Sequence, residues 1–203
     1  QNTEAEGHEQ IDFALDKGVN FLDTAEMYSI PGKAETQGST EEIIGSWFKK
    51  SGKREDLVLA SKVVGPGNSM NHIRENLGFS KEAVTDALHK SLKRLQTDYI
   101  DLYQLHWPER NTNFFGKLGY EHDENEAWEE NFQEVLETLS DFVKEGKIRQ
   151  VGLSNETPYG VMRFLEESRK HDLPKMITVQ NPYNLLNRKD EVGLTEVLHR
   201  ENV

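Results

Sequence analysis

The chain contains no cysteine among its 203 residues. This absence excludes disulfide bonds, thiolate metal ligands and a cysteine nucleophile. Long hydrophobic runs are also missing, since no apolar stretch approaches the roughly 20 residues that a membrane-spanning helix needs. We therefore expect no secretory signal and no membrane partner, and a cytoplasmic location is the simplest interpretation.

Positive charge is scarce relative to negative charge. Lysine and arginine number 24 against 36 aspartate and glutamate residues, so the net charge is −12. Nucleic acids and anionic membrane surfaces attract basic patches, and we expect neither as the main partner. The 7 histidines are scattered without the paired spacing of metal ligands, so we expect no metal ion. With 35% hydrophobic and 30% charged residues, positions 1–203 are typical of one globular domain or part of a larger one.

Apolar runs of strand length alternate with amphipathic segments along the whole chain. Residues 57–63, 99–106 and 148–155 are rich in Val, Leu and Ile and predict buried strands. The shorter runs V-N-F-L-D and M-I-T-V-Q-N predict two more, and six helical segments lie around the five strands. The polar stretch 107–130 is too long for a plain connection and predicts a functional loop.

Helix starts can be read from local capping signals. Ser80 precedes an amphipathic run, and Thr157 is followed by Pro158, which suits the first helical position. Ser39 and Thr40 are the expected N-cap of the helix that carries Ile43, Ile44 and Trp47.

Strict alternation of helices and strands predicts right-handed crossovers and a parallel sheet. No G-x-G-x-x-G follows any strand, so the dinucleotide-binding turn of an open doubly wound sheet is missing. Polar residues recur at the ends of successive strands, where a (β/α)8 TIM barrel builds its active site. We therefore expect an α/β fold of the TIM-barrel type, incomplete here, with about five of the eight parallel strands.

Four polar residues lie at or just beyond the ends of three predicted strands. Asp23 ends F-L-D, Tyr28 follows five residues later, Lys62 lies late in the next strand and His106 closes the one after. The ends of parallel strands converge on one face of a barrel, so we expect the four side chains to meet. A lysine within an apolar run is costly to bury unless a carboxylate pairs with it. Asp23 is the expected partner of Lys62.

These four side chains predict the acid half of carbonyl reduction. The hydroxyl of a tyrosine has an ordinary pKa of about 10, and we expect the Lys62 ammonium to lower the pKa of Tyr28. Tyr28 would then donate a proton to the carbonyl oxygen, and His106 would orient the carbonyl by a hydrogen bond. No side chain supplies a hydride, so a nicotinamide cofactor is implied.

Each of the four residues also has a structural explanation. Asp23 is in a position to cap a turn after its strand, and Tyr28 alone is typical of a half-buried loop aromatic. A lysine at a strand end can extend to the surface, and His106 is explained equally well as a hydrogen-bonded histidine at the rim. The joint pattern favours the catalytic interpretation.

Ser154, Asn155 and Gln180 end the next two strands. Hydroxyl and amide groups both donate and accept hydrogen bonds, which suits the planar carboxamide of a nicotinamide. Serine and asparagine are also common in turns before helices, whereas Gln180 lies in an apolar strand and is harder to explain in that way. Trp107, beside His106, is a candidate for lining a substrate pocket.

Five segments carry a specific resemblance to a known family. They are G-V-N-F-L-D-T-A-E-M-Y, L-V-L-A-S-K-V, S-L-K-R-L-Q-T-D-Y-I-D-L-Y-Q-L-H-W-P, G-K-I-R-Q-V-G-L-S-N and V-Q-N-P-Y-N-L-L-N-R. The chain resembles the aldo-keto reductase superfamily in these segments, and the resemblance covers essentially its whole length. The motifs A-E-M-Y, E-T-Q-G-S-T-E, F-G-K-L-G-Y and S-N-E-T-P-Y-G-V-M-R are most similar to the bacterial Tas-type group.

The resemblance implies an NADPH-dependent oxidoreductase that reduces an aldehyde or ketone to an alcohol. It implies that Tyr28 is the proton donor, that Lys62 and Asp23 tune it, and that His106 orients the carbonyl. It also implies a set of positions that hold the nicotinamide amide, here Ser154, Asn155 and Gln180.

Compared with the family pattern, the first strand and the last two strands lie outside these residues. The aromatic that stacks on the nicotinamide and the 2′-phosphate loop lie there too, so NADP rather than NAD is implied by the family alone. An open sheet exposes two edges, and we expect the 203 residues alone to be poorly soluble or oligomeric, inactive, and weak in binding NADPH. A second hypothesis is a cofactor-binding regulatory or interaction module with incidental turnover, as in the ion-channel β-subunits that resemble this superfamily. The complete set of four residues favours catalysis.

Overall fold

The computed structural model of the chain describes residues 2–67 and 70–203. Within these ranges, six α-helices and five β-strands alternate, as the sequence predicted. In chain order they are α1 (Glu4–Asp16), β1 (Phe21–Asp23), α2 (Ser39–Ser51), β2 (Val58–Val63), α3 (Lys81–Leu95), β3 (Ile100–Leu105), α4 (Phe132–Lys144), β4 (Ile148–Ser154), α5 (Pro158–His171), β5 (Met176–Gln180) and α6 (Leu194–Glu201). Short 3-10 turns at Arg54–Asp56 and Lys189–Val192 precede β2 and α6. None of the described helices has the length and apolar character needed to cross a membrane.

The five strands form one parallel sheet in the order β1-β2-β3-β4-β5. In a flat sheet with strands about 4.8 Å apart, the first and fifth strands would be separated by about 19 Å. Instead, Nε2 of Gln180 on β5 donates a hydrogen bond to Oδ2 of Asp23 on β1 at 3.1 Å. The sheet is therefore curled into a half-barrel, which confirms the predicted incomplete TIM barrel.

The main core lies between the outer face of the sheet and the helices. On β3, Tyr103 and Leu105 are buried in this core, while Gln104 between them contacts the inner face of the half-barrel. This alternation follows from the two-residue repeat of a strand. The fully buried members of the core include Leu59, Leu88, Leu136, Leu139, Leu153 and Leu165. The inner face is left to the polar side chains that form the candidate site.

Two of the three predicted helix caps are confirmed. The Ser80 hydroxyl accepts a hydrogen bond from the backbone N–H of Ala83, and the Thr157 hydroxyl caps α5 ahead of Pro158. The prediction for α2 was wrong, because the N-cap is Gly38 and Ser39 is already helical. The backbone of Gly38 has φ 80°, a left-handed conformation that favours glycine over residues with a Cβ.

The stretch between β3 and α4 contains no helix or strand in the structure. A buried ion pair attaches it to the start of α5. Nη1 and Nη2 of Arg110 donate to the Glu156 carboxylate at 3.1 and 2.5 Å, and Nη2 also donates to the Thr157 hydroxyl at 2.9 Å. Bidentate pairing of this kind fixes both position and orientation. The loop is thereby attached beside the carboxyl ends of β3 and β4.

Gly45 marks the closest approach of α2 to α3. A Cβ at this position would lie 2.1 Å from the backbone oxygen of Arg94. Glycine to alanine normally stabilises a helix by roughly 0.5–1 kcal/mol, but here the added methyl group meets backbone that cannot rotate away. We expect Gly45→Ala to lower the free energy of unfolding by about 1–3 kcal/mol. Urea unfolding of the full-length protein measures this, with Lys49→Ala on the exposed face of α2 as the control. An increase in stability for Gly45→Ala would contradict the packing.

Candidate active site

An ion pair between Asp23 and Lys62 lies at the centre of the candidate site. Nζ of Lys62 donates to the two carboxylate oxygens of Asp23 at 2.8 and 2.7 Å and to the backbone oxygen of Thr24 at 2.9 Å. The side chain of Lys62 is 1% exposed, whereas that of Asp23 is 27% exposed. Three acceptors thus match the three N–H donors of the ammonium. Burial lowers the pKa of Lys62, and the hydrogen bonds and charge of Asp23 oppose that shift.

Tyr28 and His106 lie against this ion pair. Nζ of Lys62 is 5.2 Å from the centroid of the Tyr28 ring. The rings of Tyr28 and His106 meet edge to face, with centroids 5.8 Å apart and planes at 75°. The structure therefore brings together the four side chains that the sequence placed at the ends of three strands.

The net shift in the pKa of Tyr28 is opposite to the decrease that the sequence analysis expected. Burial of the phenol, together with the negative charge of Asp23, raises the pKa of Tyr28 above its ordinary value. A charged phenolate is disfavoured both by removal from water and by a nearby carboxylate. Tyr28 in this environment is a protonated hydroxyl at neutral pH.

His106 is held as a neutral imidazole. Its burial, with the positive charge of Lys62 as a second cause, lowers the pKa of His106 to about 3. Nδ1 is buried without a hydrogen-bond partner among the described residues. A neutral imidazole has one N–H donor and one acceptor, so His106 can donate a hydrogen bond without changing charge near neutral pH.

Gln104 is a site residue that the sequence analysis missed. It lies on β3 opposite Lys62 on β2, and its Nε2 is 3.3 Å from Oδ1 of Asp23 and 3.5 Å from Oε1 of Gln180. Its partner on β4 is Gly152, where an added Cβ would lie 2.3 Å from Oγ1 of Thr178. The available signal was its position two residues before His106, which places both on one face of the strand.

Ser154, Asn155 and Gln180 lie next to one another at the ends of β4 and β5. Ser154 donates through Oγ to the backbone oxygen of Gln180 at 2.8 Å, and Asn155 donates through Nδ2 to the backbone oxygen of His106 at 2.9 Å. The Gln180 amide is engaged with Asp23 and Gln104. Oδ1 of Asn155 is buried and has no partner in the described part of the chain.

Trp107 is largely buried beside His106. It is 6% exposed, and its Nε1 donates to the backbone oxygen of Pro66 at 2.9 Å. The ring lies directly on Gly65, where a Cβ would be 2.5 Å from Trp107 Cδ1. The ring centroid is 5.0 Å from that of His106. Trp107 thus lies next to His106, and its role in lining a substrate pocket stays a prediction.

The whole chain, residues 1–203, matches the model of the aldo/keto reductase family. The chain belongs to this family. It is 52% identical over its entire length to Protein tas of Escherichia coli (strain K12), of which it spans 59%. It is 32% identical to Aldo-keto reductase YhdN of Bacillus subtilis (strain 168), with 90% of this chain and 45% of that protein aligned. It is 27% identical to Norsolorinic acid reductase B of Dothistroma septosporum, with 95% and 44% aligned.

In this aldo/keto reductase chain, Glu26 is a second residue that sequence reasoning missed. It is fully buried two residues before Tyr28, and its Oε1 accepts hydrogen bonds from the backbone N–H of Val64 at 2.8 Å and from Arg74 at 3.0 Å. Its own backbone N–H donates to the backbone oxygen of Lys62 at 3.2 Å. Glu26 therefore fixes the segment that carries Tyr28 to the end of β2. No spacing motif in the sequence indicated this contact.

Among the described residues, no group of three or more potential ligands is arranged to hold a metal ion.

The unequal burial of Asp23 and Lys62 predicts unequal costs of removal. Asp23→Ala leaves a buried ammonium with the Thr24 carbonyl as its one remaining acceptor, and we expect a loss of about 3–5 kcal/mol in unfolding free energy. Lys62→Met leaves a partly exposed carboxylate that still accepts from Gln104 and Gln180, so we expect a smaller loss. Urea unfolding of the full-length variants measures both values.

Lys81→Met is the control for this comparison, because it breaks an exposed ion pair with Asp141 and should change stability by less than about 1 kcal/mol. Equal losses of unfolding free energy in Asp23→Ala and Lys62→Met would contradict the unequal burial of the two side chains.

A second prediction concerns the charge of His106. Because its pKa in the folded protein is lowered to about 3, the ring stays neutral as pH falls from 8 to 5. NMR titration of the histidine ring protons should show one resonance that does not shift over this range, and His106→Gln should remove that resonance. A midpoint near 6.5, the ordinary histidine value, would contradict this environment.

Proposed function

We propose that this chain carries the proton-donating site of an NADPH-dependent oxidoreductase that reduces an aldehyde or ketone to an alcohol. The observation that carries the proposal is the ion pair between the buried Lys62 and Asp23 next to Tyr28, with His106 at the edge of the same ring. Reductases and an aldo-keto reductase among the similar proteins support the same reaction class. The chain spans 59% of the length of Protein tas, so the activity is proposed for the full-length protein.

Tyr28 is the proposed proton donor to the carbonyl oxygen. Its raised pKa keeps the hydroxyl protonated at neutral pH, so the acid form is the populated one. As the proton leaves, negative charge develops on the phenol oxygen, and the neighbouring Lys62 ammonium stabilises that charge. An interaction that strengthens as this charge develops stabilises the transition state more than the bound substrate. It therefore lowers the activation barrier. Asp23 keeps Lys62 charged and fixes its position.

His106 is proposed to orient the substrate. A neutral imidazole can donate a hydrogen bond to the carbonyl oxygen from the side opposite Tyr28 without competing as an acid. Its low pKa makes this role independent of pH over the neutral range. Two donors directed at one oxygen also polarise the carbonyl, which favours attack at carbon.

The residues at the ends of β4 and β5 suit the carboxamide of a nicotinamide. The unpartnered Oδ1 of Asn155 is a buried acceptor, which matches an amide N–H donor. Ser154 and Gln180 provide a hydroxyl and an amide beside it. When bound there, a reduced nicotinamide supplies the hydride. The choice of NADPH over NADH rests on the family resemblance.

Removal of the Tyr28 hydroxyl tests the proposed role. We expect Tyr28→Phe to lower kcat for reduction of propanal by about 10²–10⁴-fold, the usual contribution of a positioned general acid. KM should change little, because the ring and its contact with His106 remain. NADPH oxidation by the full-length protein, followed by absorbance, measures both constants.

Tyr159→Phe is the matched control, since it removes a hydroxyl from a tyrosine that is 53% exposed on α5. Its kcat should equal that of the unmodified protein. Unchanged turnover in Tyr28→Phe would exclude Tyr28 as the donor. Tight NADPH binding with no turnover of any aldehyde would favour a regulatory module instead.

A further inference from the structure

The position of Tyr28 depends on the short segment that leads to it from β1. Tyr28 lies in a loop, and its backbone N–H donates to the backbone oxygen of Ala25 at 3.0 Å, which closes a tight turn. Ala25 and Glu26, within this turn, are fully buried. Because the turn is so short, a displacement of Glu26 also displaces Tyr28.

Backbone hydrogen bonds hold Glu26 from two sides. Beyond the end of β1, the N–H of Thr24 donates to the backbone oxygen of Ala60 at 2.9 Å, and the N–H of Glu26 donates to that of Lys62 at 3.2 Å. From the opposite side, Nε2 of Gln37 donates to the backbone oxygen of Glu26 at 2.6 Å. The backbone of Glu26 is thus attached both to β2 and to the loop ahead of α2.

The carboxylate of Glu26 forms a buried ion pair with Arg74. The side chains of Glu26 and Arg74 are 1% and 6% exposed. Nη1 of Arg74 donates to Oε1 of Glu26 at 3.0 Å, and Nη2 donates to Oε2, so the pairing is bidentate. Oε1 also accepts the backbone N–H of Val64 at 2.8 Å. A bidentate pair fixes orientation as well as distance, and a charge buried this deeply requires such partners.

Arg74 belongs to the loop between β2 and α3, so the ion pair joins two loops at the same edge of the sheet. Its neighbour Ile73 packs with Met27 and Val64 in a small buried cluster, and the ring of Tyr28 packs against that cluster. The loop that supplies the guanidinium of Arg74 therefore also supports the ring of Tyr28. Loss of the ion pair would loosen both contacts together.

We propose that Glu26 and Arg74 are positioning residues for Tyr28. This inference rests on the proposed function, because it assigns the ion pair a role in proton transfer from Tyr28. The pair sets where the Tyr28 hydroxyl lies relative to the substrate carbonyl, and it acts only through the position of Tyr28. A general acid must lie within hydrogen-bond distance of the atom that it protonates. A misplacement of about 1 Å can lower the rate by about 100-fold.

A double-mutant cycle with the Tyr28 hydroxyl tests this role. In the full-length protein, Glu26→Gln keeps an acceptor for the N–H of Val64 but removes the charge that pairs with Arg74. We expect kcat for reduction of propanal by NADPH to fall about 10–100-fold, with KM within about twofold, because the loss arises in proton transfer. In the Tyr28→Phe background, the same substitution should change kcat by less than about twofold, because no hydroxyl remains to be misplaced.

Two further variants separate positioning from folding. Arg74→Lys keeps a positive charge beside Glu26 but cannot form the bidentate pair, and it should show the same pattern with a smaller loss of about fivefold. Asp86→Asn is the control, because the Asp86 side chain is 40% exposed and contacts Nε of Arg74, away from the Glu26 carboxylate. Its kcat should stay within about twofold. Loss of kcat by the same factor with and without the Tyr28 hydroxyl, or no loss in either background, would overturn the proposal.

The contact between two rings gives a readout that needs no turnover. The rings of Tyr28 and His106 meet edge to face with centroids 5.8 Å apart, so their protons are close enough for a nuclear Overhauser effect. NMR of the full-length protein labelled at tyrosine and histidine should show this effect, which Glu26→Gln should weaken and Asp86→Asn should not. An unchanged effect in Glu26→Gln would overturn the positioning role. Absence of aldehyde reduction by the unmodified protein would instead contradict the proposed function, and the ring contact would still decide whether the ion pair positions Tyr28.

Discussion

The rest of the site depends on the burial of one ammonium group. Lys62 is 1% exposed, and a charge removed from water must find partners or lose its proton. Both oxygens of Asp23 and the backbone oxygen of Thr24 supply these partners, which fixes the end of β1 against β2. Tyr28 follows in the same loop, so its ring is placed over the ion pair by the same constraint. Glu26 fixes this loop a second time through Val64.

The hydrogen bonds that join the inner face of the curled sheet are also contacts of the candidate site. Asp23 on the first strand accepts a hydrogen bond from Gln180 on the fifth, and Gln104 on the third strand contacts both. The contact exists only because the sheet is curled, since a flat sheet would hold these strands far apart. In this aldo/keto reductase chain, the Asp23 carboxylate thus links the first strand to the third and the fifth. Removal of Asp23 is therefore a change in both chemistry and architecture.

Sequence reasoning predicted the site best where a residue type was out of place in its segment. Lys62 in an apolar strand required a carboxylate, and the parallel topology placed Asp23 there. The same reasoning applied to Gln104 would have found it, because a glutamine two residues before His106 shares its face. Sequence reasoning did not predict the direction of the Tyr28 pKa shift. Burial of the phenol and the charge of Asp23 raise this pKa, and both depend on the tertiary structure.

The sequence by itself determined the alternation of elements, the parallel sheet and the four residues of the site, because hydrophobic periodicity and strand-end position are local properties. Tertiary structure decided the partners. It paired Glu26 with the backbone N–H of Val64, buried Trp107 on Gly65 and left Phe115 at the surface. Burial, hydrogen bonding and charge at a side chain arise from segments distant in the sequence, so they appear only when the sheet curls and the loops pack.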